Sequence, residues 1–157
     1  MMEEFLEEEK RYILEVYKKL LAVDSSKAMI KTGSKWSAKE LIGHLIDSAS
    51  NNHQRFVRAQ FTEDLVFAGY SQDEWIKIQN YQSESWNGLI NLWKEFNLHI
   101  IHLAANISPD SLTRLRPLHN LDKIAMQTVP ANQPVTLEYF IRDYFFHLRH
   151  HLKQLEL

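Results

Sequence analysis

Apolar residues recur along this chain with the period of an α-helix, and the breaks in that recurrence mark out the elements. Phe5, Tyr12, Ile13, Val16, Leu20 and Val23 share one face, which predicts a first helix from about Glu3 to Val23. Glu3, Glu4, Glu7 and Glu8 near its start and Lys18 and Lys19 near its end complement the helix dipole. The acidic run reads as a solvated face rather than a partner site. Ser37 and Glu40 then have the spacing of a capping box, with Trp36 and Leu41 in the positions of a hydrophobic staple. They open a second helix that runs through Leu45, Ala49, Asn52 and Phe56 to about Phe61.

The same start code recurs at Ser71 and Glu74, flanked by Tyr70 and Trp75, and predicts a short helix over 71–79. Leu89, Trp93, Phe96, Ile100 and Leu103 alternate fours and threes through a helix from about Ser83 to Asn106, as a seam facing a bundle requires. Pro109, Pro117, Pro130 and Pro134 interrupt the weak periodicity of residues 108–135. That segment reads as a long connection with a helical turn after Ser108 and a brief extended stretch. Thr136 as N-cap, with Val135 and Phe140 as a staple, opens a last helix that reaches about Leu155.

Four long helices with a long connection before the last one predict an all-α four-helix bundle, in which facing helices supply side chains to an interior site. The pattern leaves the order of up and down open. A length of 157 residues suits a single domain, 1–157. No segment approaches the roughly 18 uninterrupted apolar residues of a membrane span. The N-terminus, MMEEFLEEEKRY, is acidic and amphipathic where a secretory signal is basic and then apolar. The expectation is a soluble, cytoplasmic protein without a membrane partner. A formal net charge of -2 offers no basic footprint for nucleic acid. With no cysteine in the chain, metal chemistry falls to His, Asp and Glu, and any thiolate has to arrive from outside.

His147 and His151 stand four residues apart on the last helix, a rise of roughly 6 Å and a rotation of about 40°, so both rings leave one face. They continue the stripe of Phe140 and Tyr144, beside a core stripe of Leu137, Ile141, Leu148 and Leu152. Two imidazoles leave a divalent cation under-coordinated. His44, on the second helix with Leu41, Leu45 and Ser48, is the candidate third ligand. The plain alternative makes His147 and His151 half-buried residues bonded to carbonyls, and His44 a core histidine satisfied by a neighbour.

His150 points about 100° away from His151 and reads as exposed or supporting, while His53, His99 and His102 read as surface or core. His119 lies in the connection beside Asn120, from where a loop histidine could approach the mouth of a site. Asp47, three residues after His44, is placed to fix an imidazole tautomer or to accept a proton. Gln154, three after His151, is placed to hydrogen-bond a ring. Both are equally readable as polar flank. Tyr70, Trp75, Tyr81 and Trp86 are candidates to wall an apolar pocket, with two of the four better read as core.

The stretches WSAKELIGHLIDSASNNHQRF, GYSQDEW and FFHLRHHLKQL span nearly the whole chain. Together they resemble the DinB/YfiT-like superfamily, in particular its DinB-like small metalloproteins. The resemblance implies a bundle of up-down-down-up type with a divalent metal held by three histidines, which on this sequence are His44, His147 and His151. It also implies similarity to bacillithiol and mycothiol S-transferases and to the mycothiol-dependent maleylpyruvate isomerase.

The expected function is a metal-dependent enzyme that activates a low-molecular-weight thiol for S-transfer. One alternative is a metal-dependent hydrolase using metal-bound hydroxide, and the other is a noncatalytic, dimeric, stress-related metal-binding module. Nickel, zinc, iron and manganese all suit an all-imidazole site. The expected partners are a small-molecule thiol cosubstrate and a second copy of the chain.

Overall fold

Side-chain caps set where most helices of this chain begin. The structure, a computed structural model, describes residues 1–157 and is all-helical. Its helices are α1 (Met2–Leu21), α2 (Ala38–Arg58), α3 (Gln72–Gln79), α4 (Trp86–Ala105), α5 (Pro109–Thr113), α6 (Leu121–Ile124) and α7 (Leu137–Leu152). At the head of α2 the Glu40 N–H donates to the Ser37 hydroxyl at 3.2 Å, and the Ser37 N–H donates to the Glu40 carboxylate at 2.8 Å. This closed capping box contributes about 1 kcal/mol. Ser85, Ser108 and Thr136 cap α4, α5 and α7 through their hydroxyls.

Ser71 departs from the expected pattern, since its side chain makes no cap bond and no box forms with Glu74. The apolar half of that signal survives, with the Tyr70 and Trp75 rings 4.8 Å apart. Helix ends differ from the expected ones by at most three residues. α2 stops at Arg58, short of Phe61, which is 83% exposed. α4 starts at Trp86 because Tyr81–Ser83 form a tighter 3-10 turn, and α7 passes into another at Lys153–Leu155.

Contacts between helices fix their directions. Tyr17 of α1 meets Asn91 and Lys94 of α4, and Trp86 at the start of α4 donates to the Leu20 carbonyl near the end of α1, so these two are antiparallel. Lys39 at the start of α2 donates to the Glu84 carbonyl just before α4, and His53 lies beside Phe96 and His99, so α2 and α4 are parallel. Phe56, late in α2, packs edge-on against Phe140 and Tyr144, early in α7, whereas His44 meets His147 and His151. That pair is antiparallel. Phe5 against Phe145 and Glu9 against Arg149 make α1 and α7 parallel.

The order is therefore up-down-down-up, as the resemblance implied, with α1 and α2 on opposite corners. Ile13, Leu20, Ile42, Trp93, Ile100 and Ile141 are among the fully buried residues of one apolar core, each contributing about 1.5–3 kcal/mol by burial. No helix is long and apolar enough to cross a membrane.

The long connection does not hang loose. Arg116 and Val135 exchange backbone hydrogen bonds of 2.8 and 3.1 Å, and Leu65 pairs with Leu118 and Asn120. The Asn120 side chain clamps both the N–H and the carbonyl of Phe67. Asp143 of α7 accepts the N–H groups of Met126 and Gln127 at 2.9 and 2.7 Å. Residues around 65–70 and 121–127 are thereby drawn together as a roof over the groove between α2 and α7.

Candidate metal centre

His44 lies two turns inside α2, at a depth set by the Ser37 cap, and is 0% exposed. Across the groove α7 presents His147 and His151 one turn apart. Their ring centroids lie 5.1 and 4.7 Å from that of His44 and 4.5 Å from each other. One nitrogen of each ring lies within 4.8 Å of the other two, and Nε2 of His44 is 3.2 Å from Nε2 of His147. Two Zn–N bonds of roughly 2.05 Å meeting near the tetrahedral angle set their nitrogens about 3.3 Å apart. The closest pair already has the spacing of imidazoles that share one cation.

Burial pushes His44 and His147 down to about 3, with the charges of neighbouring histidines adding to it. His151 is also lowered, first by burial and then by His150, with the Gln154 side chain opposing. All three rings are therefore neutral at pH 7, which is the form that ligates a metal. Nδ1 of His44 and Nδ1 of His151 are buried without any hydrogen-bond partner. His147 and His151 make no hydrogen bond to a backbone carbonyl, unlike in the plain reading, and the neighbour of His44 is His147 itself. A neutral all-imidazole donor set with mutual spacings within a coordination sphere fits a divalent transition metal. Trp36, the staple residue of α2, covers the cluster, its ring 4.8 Å from His44 and 6.2 Å from His151.

His147 and His151 also line a cavity of about 410 Å³ between α2, α7 and the roof. Arg55, Tyr70, Lys123, Asp143 and His150 share that lining. Asp143 is the one acidic residue among them, and both its oxygens are engaged by the roof amides. Burial raises its pKa and the two N–H donors oppose the rise.

Asp47 does not reach the histidines. Its Oδ1 accepts the Tyr81 hydroxyl at 2.6 Å and the Gln79 amide at 2.7 Å, while Oδ2 is buried without a partner. Of its two readings, the tautomer-fixing one finds no bond to an imidazole, and Asp47 instead ties the end of α3 to α2. Gly43 makes this possible, since a Cβ there would stand 2.1 Å from the Tyr81 ring. Gln154 is exposed beside His151. His150 is exposed at the cavity edge, its ring 5.3 Å from His151.

His119 is away from the site. Its Nε2–H donates to the Gln133 carbonyl at 2.7 Å and its Nδ1 accepts the Leu121 N–H, which pins the connection. His53, His99 and His102 form a separate file of rings along α2 and α4. Of the four aromatics, Tyr70 lines the cavity with Trp75 against it, while Tyr81 and Trp86 are buried.

The sequence reading missed Arg55 and Asp143. For Arg55 a signal was present, because eleven residues after His44 an α-helix has turned to within about 20° of the same face. For Asp143 there was none, because its partners come from the folded connection.

The profile of the DinB superfamily matches residues 11–155. Among solved structures, YfiT from Bacillus subtilis aligns with a TM-score of 0.70 at 20% sequence identity, covering 94% of this chain and 81% of that one. That protein is described as a probable metal-dependent hydrolase with an unusual four-helix bundle topology. At this identity the likeness establishes the fold. No curated protein matches the sequence.

Proposed function

From the premise that this chain belongs to the DinB superfamily, we propose that it is a metal-dependent enzyme acting on a small molecule, with a low-molecular-weight thiol as nucleophile. His44, His147 and His151 hold one divalent cation. The observation that carries this reading is the cavity, which meets the histidine cluster at His147 and His151 and gives a substrate room beside it. A purely structural cation would be walled in on all sides. Held by three neutral imidazoles, such a cation supplies Lewis acidity, which makes a weakly acidic thiol or water nucleophilic near neutral pH.

The chain's own residues favour the thiol. Trp36 closes one side of the cluster against water. No free carboxylate lines the cavity, since Asp143 positions the roof and Asp47 is bound to Tyr81 and Gln79. His150 at the edge is the remaining proton acceptor. A thiol, of pKa about 8.5 when free, would ionise outright on such a cation, whereas water there would reach a pKa of only about 7 and has the greater need of a proton acceptor. The chain has no cysteine, so the thiol enters as a cosubstrate. A second reading, hydrolysis, is favoured by the description of YfiT.

Elemental analysis of untagged protein should find about one metal per chain, with a large loss in His44→Ala and in His151→Ala, each of which removes one of three ligands. Unchanged occupancy in both variants would refute the ligand set. Metal-loaded protein is then assayed for conjugation of monobromobimane with a panel of small thiols, and for cleavage of activated esters without thiol. Ester turnover that needs no thiol would replace the transferase by the hydrolase.

A further inference from the structure

Arg55 is only 7% exposed, yet none of the nine ion pairs of the chain involves it. Its guanidinium donates to the Ala68 carbonyl at 2.7 Å and, weakly, to Asn52 Oδ1 at 3.4 Å. Two of the five guanidinium N–H groups are thus used and three have no acceptor in the protein. A buried cation without a counter-charge is unfavourable unless something outside the chain supplies one. The lining of the cavity carries no free acid to do so, and adds a second cation in Lys123. Tyr70 stands next to Arg55 as a further donor, its phenol held protonated by a burial that raises its pKa to about 12.

We propose that the end of the cavity remote from the histidines is an anion site, in which Arg55, assisted by Tyr70 and Lys123, binds a carboxylate or phosphate group of the substrate or cosubstrate. Arg55 follows His44 by eleven residues, about 16 Å along the axis of α2 and nearly in line with it. Its side chain leans back toward the helix start, where it meets Asn52 one turn earlier. The ligand therefore carries its anion on the order of 10 Å from its reacting atom. This inference rests on the proposed metal-dependent reaction only for what happens at the histidine end.

The test is calorimetric titration of the full chain, metal-free and metal-loaded, with succinate, inorganic phosphate and neutral succinamide. Succinate or phosphate should bind in both forms and succinamide in neither, and the better of the two anions identifies the group. Arg55→Met should weaken that binding at least tenfold, and Arg55→Lys should weaken it less. The melting temperature of Arg55→Met should stay level or rise, because an unpaired buried charge has gone, whereas a merely structural arginine would lower it.

Equal binding by the parent and Arg55→Met, or no binding of either anion, overturns the inference. Should Arg55→Met not fold, the Arg55 Nε–H resonance of the parent, assigned with Arg55→Lys, must shift when the anion is added, and an unmoved resonance is equally decisive. Anion binding by a chain that takes up no metal when metal is supplied would defeat the metal reading alone. One metal per chain without anion binding would defeat this inference alone.

Discussion

Acidification of the metal-free protein probes the histidine cluster directly. His44 and His147 titrate near 6.5 in the unfolded chain and at about 3 in the fold, where burial and neighbouring histidines penalise the charged ring. Below pH 6.5 the unfolded chain takes up protons that the folded one refuses, so stability falls with pH until the folded values are reached. Each ring loses about 1.4 kcal/mol per pH unit. Between pH 6.5 and 4.5 the two together remove at most about 5 kcal/mol, against the roughly 5–15 kcal/mol that holds a domain together. Glu9, Asp47 and Asp143 work the other way. Their pKa values are raised by burial, so the fold takes up their protons before the unfolded chain does, and they add stability as pH falls through the folded values.

The parent must therefore be compared with a His44→Gln/His147→Gln double variant, which keeps the carboxylates and removes the two imidazoles. Thermal unfolding in EDTA at closely spaced pH should show the parent losing about 10–20 °C more than the variant over this interval, from about 2–4 °C per kcal/mol for a chain of this size. With saturating zinc, which competes with protons for the same nitrogens, the fall should begin at lower pH. Parallel profiles for parent and variant would show that the rings are not neutral, buried bases, and the argument for a preformed ligand set would go with them.

Two further substitutions test how α2 is positioned. Gly43→Ala places a Cβ 2.1 Å from the Tyr81 ring; the ring must move, its 2.6 Å bond to Asp47 is lost, and urea unfolding should show a loss of about 2–4 kcal/mol. A change under about 0.5 kcal/mol, the usual range for a surface site, would mean that this contact is not made. Ser37→Ala opens the capping box that sets the start of α2 and should cost about 1 kcal/mol, read from the shift of the urea midpoint at constant slope; no shift would show that Glu40 alone fixes the helix start.

What could be read from the sequence was local. Ser37 with Glu40, Thr136 ahead of α7 and the four-residue interval of His147 and His151 act within a turn or so of chain, so their consequences appear in the structure nearly where the residue pattern puts them. The direction of α2 relative to α7 is different. A connection of some thirty residues permits either sense, and only the resemblance carried the answer. The convergence of His44 with the α7 pair depends on that sense. Asp47 shows the converse, since its spacing from His44 was suggestive, but Tyr81 and Gln79, more than thirty residues away, hold its carboxylate instead.

One consequence joins the two ends of the cavity. His44 and Arg55 lie on the same face of the same helix, so the interval between the proposed reacting end and the proposed anion end is set by helix geometry and cannot be adjusted by loop sequence. The roof is set otherwise. Residues around 65–70 and 121–127 are held by the Asn120 clamp on Phe67 and by Asp143 on Met126 and Gln127, none of which touches the histidine cluster. On the proposed reading, the reach of a ligand is then fixed by α2, while its girth is fixed by a roof whose hydrogen bonds are made outside the histidine cluster. Substitutions at Gly69, Ile124 or Met126, all lining residues, should accordingly alter which ligand fits and leave metal occupancy as it was.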